Sequence, residues 1–268
     1  MKRRKFTRML VISDLHCGHQ AGLTPPEFQW SVASDNPRRA KFAVQQQEMY
    51  KWYEDTIDLL KPINILLVNG DAIDGRGIRS GGCEHITIDR NEQSDIAATC
   101  IKRAGAPRIR MTYGTAYHTG IEEDWEDAVA HKVEADSISG HDFFEINGVV
   151  FDAKHHIGGS TIPHGRSTPM KKDKLWNTLW HAEHEQQPNS DVLIRSHVHY
   201  PDVTGDGVWM GFVTPGLQGW GSKFGVRRCS GIVKFGMMLF DIFEEGTYTW
   251  QFCVAQLESQ KVTVASLG

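Results

Sequence analysis

The stretch Met9-Leu10-Val11-Ile12-Ser13-Asp14-Leu15-His16 contains the first predicted strand of the chain. Four consecutive apolar residues are typical of a buried strand, and the polar residues after them indicate where it ends. In α/β folds, the carboxyl ends of such strands open into the crevice that binds ligands. The stretch therefore predicts a buried strand that delivers Asp14 and His16 to a crevice.

Further along the chain, other clusters of acidic and histidine residues follow apolar runs in the same way. They are Gly70-Asp71, Gly114-Thr115-Ala116-Tyr117-His118, His155-His156 and His197-Val198-His199. Because each cluster comes directly after a predicted strand, all of them are expected at strand ends. Carboxylates and imidazoles that meet in one crevice are how proteins hold transition metals. The sequence therefore predicts a metal site.

The intervening segments alternate between strand and helix in the first half of the chain. Helical spacing predicts helices over Pro37–Leu60, Glu92–Arg103, Glu122–Ala135 and Lys171–Glu185. Further strands are predicted at Ile63–Val68, Arg108–Tyr113, Phe143–Ile146, Val149–Ala153 and Val192–Arg195. From Val208 to Val254 the pattern predicts strands only, at 208–213, 232–243 and 248–254.

This order of elements predicts an α/β protein with two facing mixed β-sheets, a β-sandwich flanked by helices. A strand, helix and strand in succession imply parallel strands joined by a right-handed crossover. Asn147-Gly148 between two short apolar runs predicts a hairpin. We expect residues 1–268 to form a single domain, with an α/β half at 1–140 and a β-rich half at 141–268.

Composition excludes some classes of protein. Hydrophobic residues make up 40% and charged residues 23%, as in ordinary globular proteins, so neither a disordered nor a fibrous chain is indicated. The net charge of -4 gives no overall attraction to nucleic acid, although a local basic patch could still bind it. Five scattered cysteines suit reduced thiols. With neither an export signal nor a membrane-length apolar segment, we expect a cytoplasmic protein without a membrane partner.

The spacing within the clusters suggests how they share ions. Asp14 and His16 are two residues apart, so alternation along a strand would point both toward one metal. The same holds for His197 and His199, unless the chain bends between them and each serves a different ion. Asp71 has two carboxylate oxygens and could bridge two cations about 3.5–4 Å apart, with a water or hydroxide between them as the nucleophile.

Taken together, the ordered motifs resemble those of the calcineurin-like metallophosphoesterase family, over roughly residues 9 to 220. The resemblance implies that family's fold, a β-sandwich flanked by helices, and hydrolysis of a phosphate ester by a hydroxide bridging two divalent metal ions. Carried over by position, one ion would be held by Asp14, His16, Asp71 and His199. The other would be held by Asp71, His197 and either His155 or His156.

One motif departs from the family pattern. The family usually has Gly-Asn-His, whereas this chain has Gly114-Thr115 and then His118, a variant that resembles a bacterial and phage branch. Thr115 takes the position of the Asn ligand, although a hydroxyl is a poorer ligand than an amide oxygen. The resemblance gives His118 the role of leaving-group acid or phosphate-binding cation, or of a partial replacement for the Asn ligand.

Several neighbouring residues are open to more than one interpretation. Asp74 is expected to orient an imidazole that binds metal, and His19 to support the site or to lie solvated in its loop. His155 and His156 should point to opposite faces, so only one of them is expected to be a ligand. His181 and His184 lie on a predicted helix and are interpreted as solvated.

The expected partner is a phosphate-ester substrate, with a nucleotide or nucleic acid among the candidates. Lys171-Lys172, Lys223 and Arg227-Arg228 near Trp220 could border the crevice as a cationic and aromatic rim, although solvated charges are the stronger interpretation. The ions could be Mn, Fe, Zn or similar, since mixed imidazole and carboxylate sets accept all of these. The alternative function is a binding or scaffold protein that keeps the fold with little or no catalysis.

Overall fold

The computed structural model describes residues 5–121, 123–160, 162–184, 186–228, 232–261 and 264–266. Its strands are β1 (Phe6–Ile12), β2 (Ile65–Asn69), β3 (Arg108–Thr112), β4 (Ser137–Ser139), β5 (Asp142–Ile146), β6 (Val149–Ala153), β7 (Val192–Arg195), β8 (Asp202–Gly205), β9 (Met210–Val213), β10 (Gly236–Phe243) and β11 (Tyr248–Val254). Its α-helices are α1 (Pro37–Leu60), α2 (Arg90–Lys102), α3 (Ala116–Thr119), α4 (Glu126–Lys132), α5 (Thr168–Ala182) and α6 (Lys223–Arg228).

These strands form two mixed sheets. The first has the order β11-β10-β1-β2-β3-β4, in which β1 to β4 run parallel, β10 pairs antiparallel with β1, and β11 pairs antiparallel with β10. The second has the order β5-β6-β7-β9-β8, with β6, β7 and β9 parallel. Within each sheet, the parallel strands therefore bring their carboxyl ends to one edge.

Apolar side chains divide the molecule into layers. Because alternate residues of a strand point to opposite faces, β1 sends Met9 and Val11 toward the second sheet, where Phe151 and Phe212 meet them. Leu10 and Ile12 of the same strand, with their neighbours in β2, pack against α1, α2 and α4. Met170 of α5 packs on the outer face of the second sheet. The predicted fold class, two facing mixed sheets flanked by helices, is confirmed.

Most of the predicted elements are present, with shifts of a few residues at their ends. Helix α1 has the predicted bounds, and the side chain of Asn36 caps it by accepting bonds from the backbone N–H groups of Arg38 and Arg39. Helices α4 and α5 are shorter than predicted at the ends where Glu122 and Glu185 stand, and these two residues lie outside the described residues.

The prediction of strands only between Val208 and Val254 was wrong, because α6 lies between β9 and β10. A six-residue helix is too short to establish helical periodicity in a sequence. Strands β4 and β8 were also missed. Both are short edge strands without a continuous apolar run, so they lack the signal by which buried strands are predicted.

Two further observations concern the described residues. No helix among them has both the length and the apolar character needed to cross a membrane. Cys17, Cys83, Cys100 and Cys253 are free thiols, while Cys229 is outside the described part of the chain.

Candidate metal centre

The predicted ligand residues lie in loops that follow the carboxyl ends of β1, β2, β3, β6 and β7. The structure brings most of them together. In three groups, one potential ligand atom from each residue lies within 4.8 Å of the others. The groups are Asp14 with His16 and His199, Asp71 with His155 and His197, and His16 with Asp71 and His118.

The backbone at this edge is not extended. Asp14, His16 and Asp71 have φ angles of 51°, 45° and 52°, and His197 and His199 have 74° and 53°, all in the left-handed region. The expectation that Asp14 and His16 converge through strand alternation was therefore wrong in its mechanism, because β1 ends at Ile12. The chain also bends between His197 and His199, which join different groups.

Backbone hydrogen bonds and close packing fix these loops to each other. The N–H groups of Asp14 and His16 donate to the carbonyl oxygens of Gly70 and Asp71, each at 3.0 Å. A Cβ at Gly114 would collide with the backbone and carboxylate of Asp71. Glycine at that position therefore allows the loop after β3 to approach the loop after β2 closely.

In the first group, Nε2 of His199 lies 3.1 Å from Oδ1 of Asp14, and Nε2 of His16 lies 4.0 Å from the same oxygen. Nδ1 of His16 donates to Asp74 Oδ1 at 2.7 Å, which orients the ring and leaves Nε2 facing the carboxylates. Asp14 Oδ1 and His16 Nε2 are buried, and neither makes a hydrogen bond of good geometry.

In the second group, Nδ1 of His155 donates to the carbonyl oxygen of Asn69 at 2.7 Å. This leaves Nε2 of His155 directed at Asp71 Oδ2, 3.0 Å away. His156 is exposed, and its ring lies 4.7 Å from that of His197. Of the two adjacent histidines, the structure therefore brings His155 into the group and leaves His156 at its margin.

Asp71 connects the two groups. Its Oδ2 lies 3.0 Å from Nε2 of His155 and 4.0 Å from Nε2 of His16. The N–H of Thr115 donates to Oδ1 of Asp71 at 2.6 Å. The hydroxyl oxygen of Thr115 lies 3.3 Å from Asp71 Oδ2 and 3.2 Å from Nδ1 of His197. A hydroxyl therefore stands beside the second group, where the resemblance places an amide.

Asp74 lies at the centre of several imidazoles. Besides His16, its carboxylate lies 2.7 Å from Nε2 of His85 and 3.2 Å from Nδ1 of His118. His19 is buried, accepts a bond from Ala21 N–H at 3.1 Å and does not join any of the three groups. His85 was missed from the sequence because it lies in a polar loop and has no spacing pattern.

His118 forms an ion pair with Asp74 at the rim of the site. It lies on the short helix α3, and its ring meets that of His16 edge to face at 4.5 Å. Burial on its own lowers the pKa of His118, but hydrogen bonding to Asp74 and the charge of Asp71 outweigh burial and raise it to about 9. His118 is therefore a cation at neutral pH.

The ionisation states of the ligand groups suit cation binding. Burial opposes the charge of Asp14 and Asp71, yet the surrounding histidines lower the pKa of both carboxyls, so both are anions. Burial lowers the pKa of His155, but Asp71 and Asp14 outweigh it and raise the pKa to about 10. The proton on Nε2 of His155 thus lies opposite Asp71, at the position where a metal ion would bind.

Glu126 lies within the helix predicted over Glu122–Ala135 and was not singled out from the sequence. It is completely buried, and its two carboxylate oxygens accept bonds from the N–H groups of Ala72 at 2.8 Å and Gly114 at 2.6 Å. Burial, followed by the charge of Asp71, raises the pKa of Glu126 to about 7. One side chain therefore ties together the loops that carry Asp71 and Thr115.

Replacing Glu126 with glutamine is expected to loosen this connection. Glutamine has one acceptor oxygen, so one buried N–H loses its partner, at a cost of about 1–3 kcal/mol in the free energy of unfolding. Divalent-metal affinity should also fall about 10- to 100-fold, as for other residues that position ligands. Urea unfolding and metal titration would measure the two effects. Glu123→Gln, at an exposed position nearby, is the matched control, and equal behaviour of both variants would contradict the role of Glu126.

The similarity of this chain to known proteins lies in solved structures, at low sequence identity. No family model matches it, and no curated protein matches it. Similar solved structures include an archaeal phosphodiesterase, 12% identical, with a TM-score of 0.48 over 92% of this chain and 100% of that one. Others are Vps29 complexed with zinc from Entamoeba histolytica, 14% identical, TM-score 0.46, covering 92% and 99%, and a conserved predicted phosphoesterase from Streptococcus pneumoniae, 10% identical, TM-score 0.39, covering 94% and 100%. A functional assignment therefore has to rest on the chain's own residues.

Proposed function

We propose that the chain is a metal-dependent phosphoesterase that hydrolyses a phosphomonoester or phosphodiester at a dinuclear site. One observation carries the proposal. Asp14 Oδ1, His16 Nε2 and His155 Nε2 are buried and make no hydrogen bond of good geometry. Their close neighbours are other candidate ligand atoms, since His155 Nε2 lies 3.0 Å from Asp71 Oδ2 and 3.8 Å from Asp14 Oδ1, and His16 Nε2 lies 4.0 Å from Asp71 Oδ2. Buried polar atoms almost always make well-formed hydrogen bonds, so this concentration of ligand atoms without them supports a site for cations.

The donor set fits divalent transition metals. Imidazole nitrogens and carboxylate oxygens are accepted by Mn, Fe and Zn alike. In the proposed assignment, the residues of one ion are Asp14, His16, Asp71 and His199. Those of the other are Asp71, His155, His197 and the hydroxyl of Thr115.

When bound, a pair of divalent ions supplies charge stabilisation at phosphorus and an activated water. The protein residues complete the reaction by holding the ions in place and by moving a proton. Nδ1 of His118 lies 3.2 Å from Asp74, so the proton on Nε2 is the one available to the leaving-group oxygen. The same cation can attract the phosphate before the reaction.

A substrate panel combined with metal analysis of the same preparation tests the function. We expect about two divalent ions per chain and hydrolysis of p-nitrophenyl phosphate, its diester or DNA. A chelator should abolish this hydrolysis, and Mn²⁺ should restore it. Turnover of DNA alone would identify a nuclease, whereas turnover of the monoester alone would identify a phosphatase. A folded, metal-loaded protein without turnover of any of them would contradict the proposal.

That last outcome would favour the second candidate, a scaffold protein that keeps the metal site without catalysis. The observation in its favour is Thr115, which offers a hydroxyl where the resemblance has an amide oxygen. Thr115→Asn separates the candidates. Gain of hydrolysis in this variant, with none in the natural sequence, would assign the lost activity to this position.

A further inference from the structure

Helix α5 exposes an unusual apolar stripe. Leu175 and Trp176 are 58% and 54% exposed, and Leu179 and Trp180 are each 41% exposed. At 100° per residue these four side chains span about 140° of the helix surface. Together they expose roughly 400 Å² of apolar area, which is comparable to the largest apolar patch of a typical monomer, and such patches are often functional.

The stripe faces away from the body of the protein. The buried residues of α5 are Met170 and Asn177, which lie on nearly the opposite side of the helix. Asn177 accepts from Ser190 N–H at 3.1 Å and donates to the Pro188 carbonyl at 2.8 Å. Polar contacts therefore fix the inner side of α5, and the four apolar side chains of the stripe remain 41–58% exposed.

Each Leu of the stripe has a Trp at the same distance on the other side of the midpoint of the stripe. Leu175 and Trp180 are equally far from the midpoint between Asn177 and Thr178, and so are Trp176 and Leu179. A second copy of the helix, running antiparallel about a two-fold axis through that midpoint, would set each Leu against a Trp. The stripe is therefore complementary to itself.

The charges on the stripe have the same symmetry. Lys172 and Glu183 are also equidistant from the midpoint, about 16 Å apart along the helix axis, and both lie within the angular range of the stripe. In the antiparallel pair, Lys172 of one copy would face Glu183 of the other at both ends. An acidic residue on the stripe and a net charge of -4 disfavour an anionic membrane as the occupant.

We propose that α5 is a homodimer interface in which two copies pair antiparallel about a two-fold axis, with the Leu and Trp side chains at its centre and Lys172–Glu183 pairs at its ends. The apolar area is smaller than that of large obligate interfaces, so the dimer should dissociate in the micromolar range, at about 1–50 µM. This inference is independent of the proposed function.

Sedimentation velocity of the full chain over a dilution series tests the oligomeric state. We expect a reversible dimer, weakened about 30-fold or more by Trp176→Ser, since central aromatic residues dominate interfaces. Leu59→Ser is the matched control, because Leu59 is 83% exposed on α1 and should not affect the dimer. A protein that stays monomeric throughout, or a dimer that Trp176→Ser leaves unchanged, would overturn the proposal.

A charge exchange tests the orientation. Lys172→Glu or Glu183→Lys alone should weaken the dimer about tenfold by placing like charges together, and the double variant should recover to within about threefold of the starting protein. Failure of the double variant to recover would exclude the antiparallel pair. Binding of the monomer to neutral phosphatidylcholine vesicles, without dimerisation, would assign the stripe to a membrane instead.

Discussion

Asp71→Asn is expected to reduce kcat/KM for phosphoester hydrolysis by about 1,000-fold or more and to lower the metal content of the purified protein. Asparagine has the same shape, and its oxygen can still accept the bond from Thr115 N–H. Its amide nitrogen, however, would replace the oxygen that faces His155 and His16, and an amide N–H₂ cannot bind a cation. Steady-state kinetics and metal analysis would measure both losses.

The control for this variant is Asp127→Asn. Asp127 accepts a 2.6 Å bond from the Tyr113 hydroxyl on the surface and belongs to none of the metal-ligand groups. It should keep its metal and its activity. An Asp71→Asn protein with full turnover would show that hydrolysis, if present, occurs elsewhere.

The second large effect concerns stability, at the buried ion pair of Asp152 and Arg195. Both side chains are 1% exposed, and Nη1 of Arg195 donates to Asp152 Oδ1 at 2.7 Å. Nε of the same guanidinium donates to Asp173 on α5 at 2.8 Å. Asp152→Asn leaves the buried guanidinium without its main counter-charge, so we expect the free energy of unfolding at pH 7 to fall by about 3 kcal/mol, measured in urea.

An exposed pair supplies the comparison. Asp136→Asn removes the partner of Arg108 at the same 2.7 Å distance, but Arg108 is 61% exposed, so the loss should be below about 1 kcal/mol. Similar losses in the two variants would contradict the importance of burial.

The difference in the free energy of unfolding between the natural protein and Asp152→Asn should become smaller in acid. Burial raises the pKa of Asp152, but Arg195 and His141, whose Nε2 lies 2.7 Å from the carboxylate, together outweigh burial and lower the pKa to about 2, from 3.8 in the unfolded chain. The charged carboxylate therefore stabilises the fold above pH 4, and this contribution is lost as the pH falls through about 2. A difference that stays constant from pH 7 to pH 2 would assign it to packing instead.

The framework of the fold could be predicted because its elements carry strong local signals. Helix α1 has a cap and long helical spacing, and the turn at Asn147-Gly148 has the positive φ angles, 50° and 82°, that this pair favours. The missed edge strands and α6 are short, and their formation depends on neighbours that are distant in the sequence.

The meeting of the candidate ligands could be predicted for the same reason, since parallel strands bring their carboxyl ends to one edge. The finer arrangement could not. The alternation of side chains along a strand predicts that His155 and His156 point to opposite faces. Which of them points into the site depends on the conformation of the loop after β6. Glu126 and His85 act through partners far away in the sequence, so their roles have no local signature.

The left-handed backbone at Asp14, His16, Asp71, His197 and His199 has a consequence for engineering. Residues other than glycine lose about 1 kcal/mol each in that conformation, so this edge of the molecule holds several kcal/mol of strain. Glycine would relieve the strain and delete the ligand in the same step. Thermostable versions that retain a working site should therefore be sought among substitutions on the outer helices, away from the strand ends.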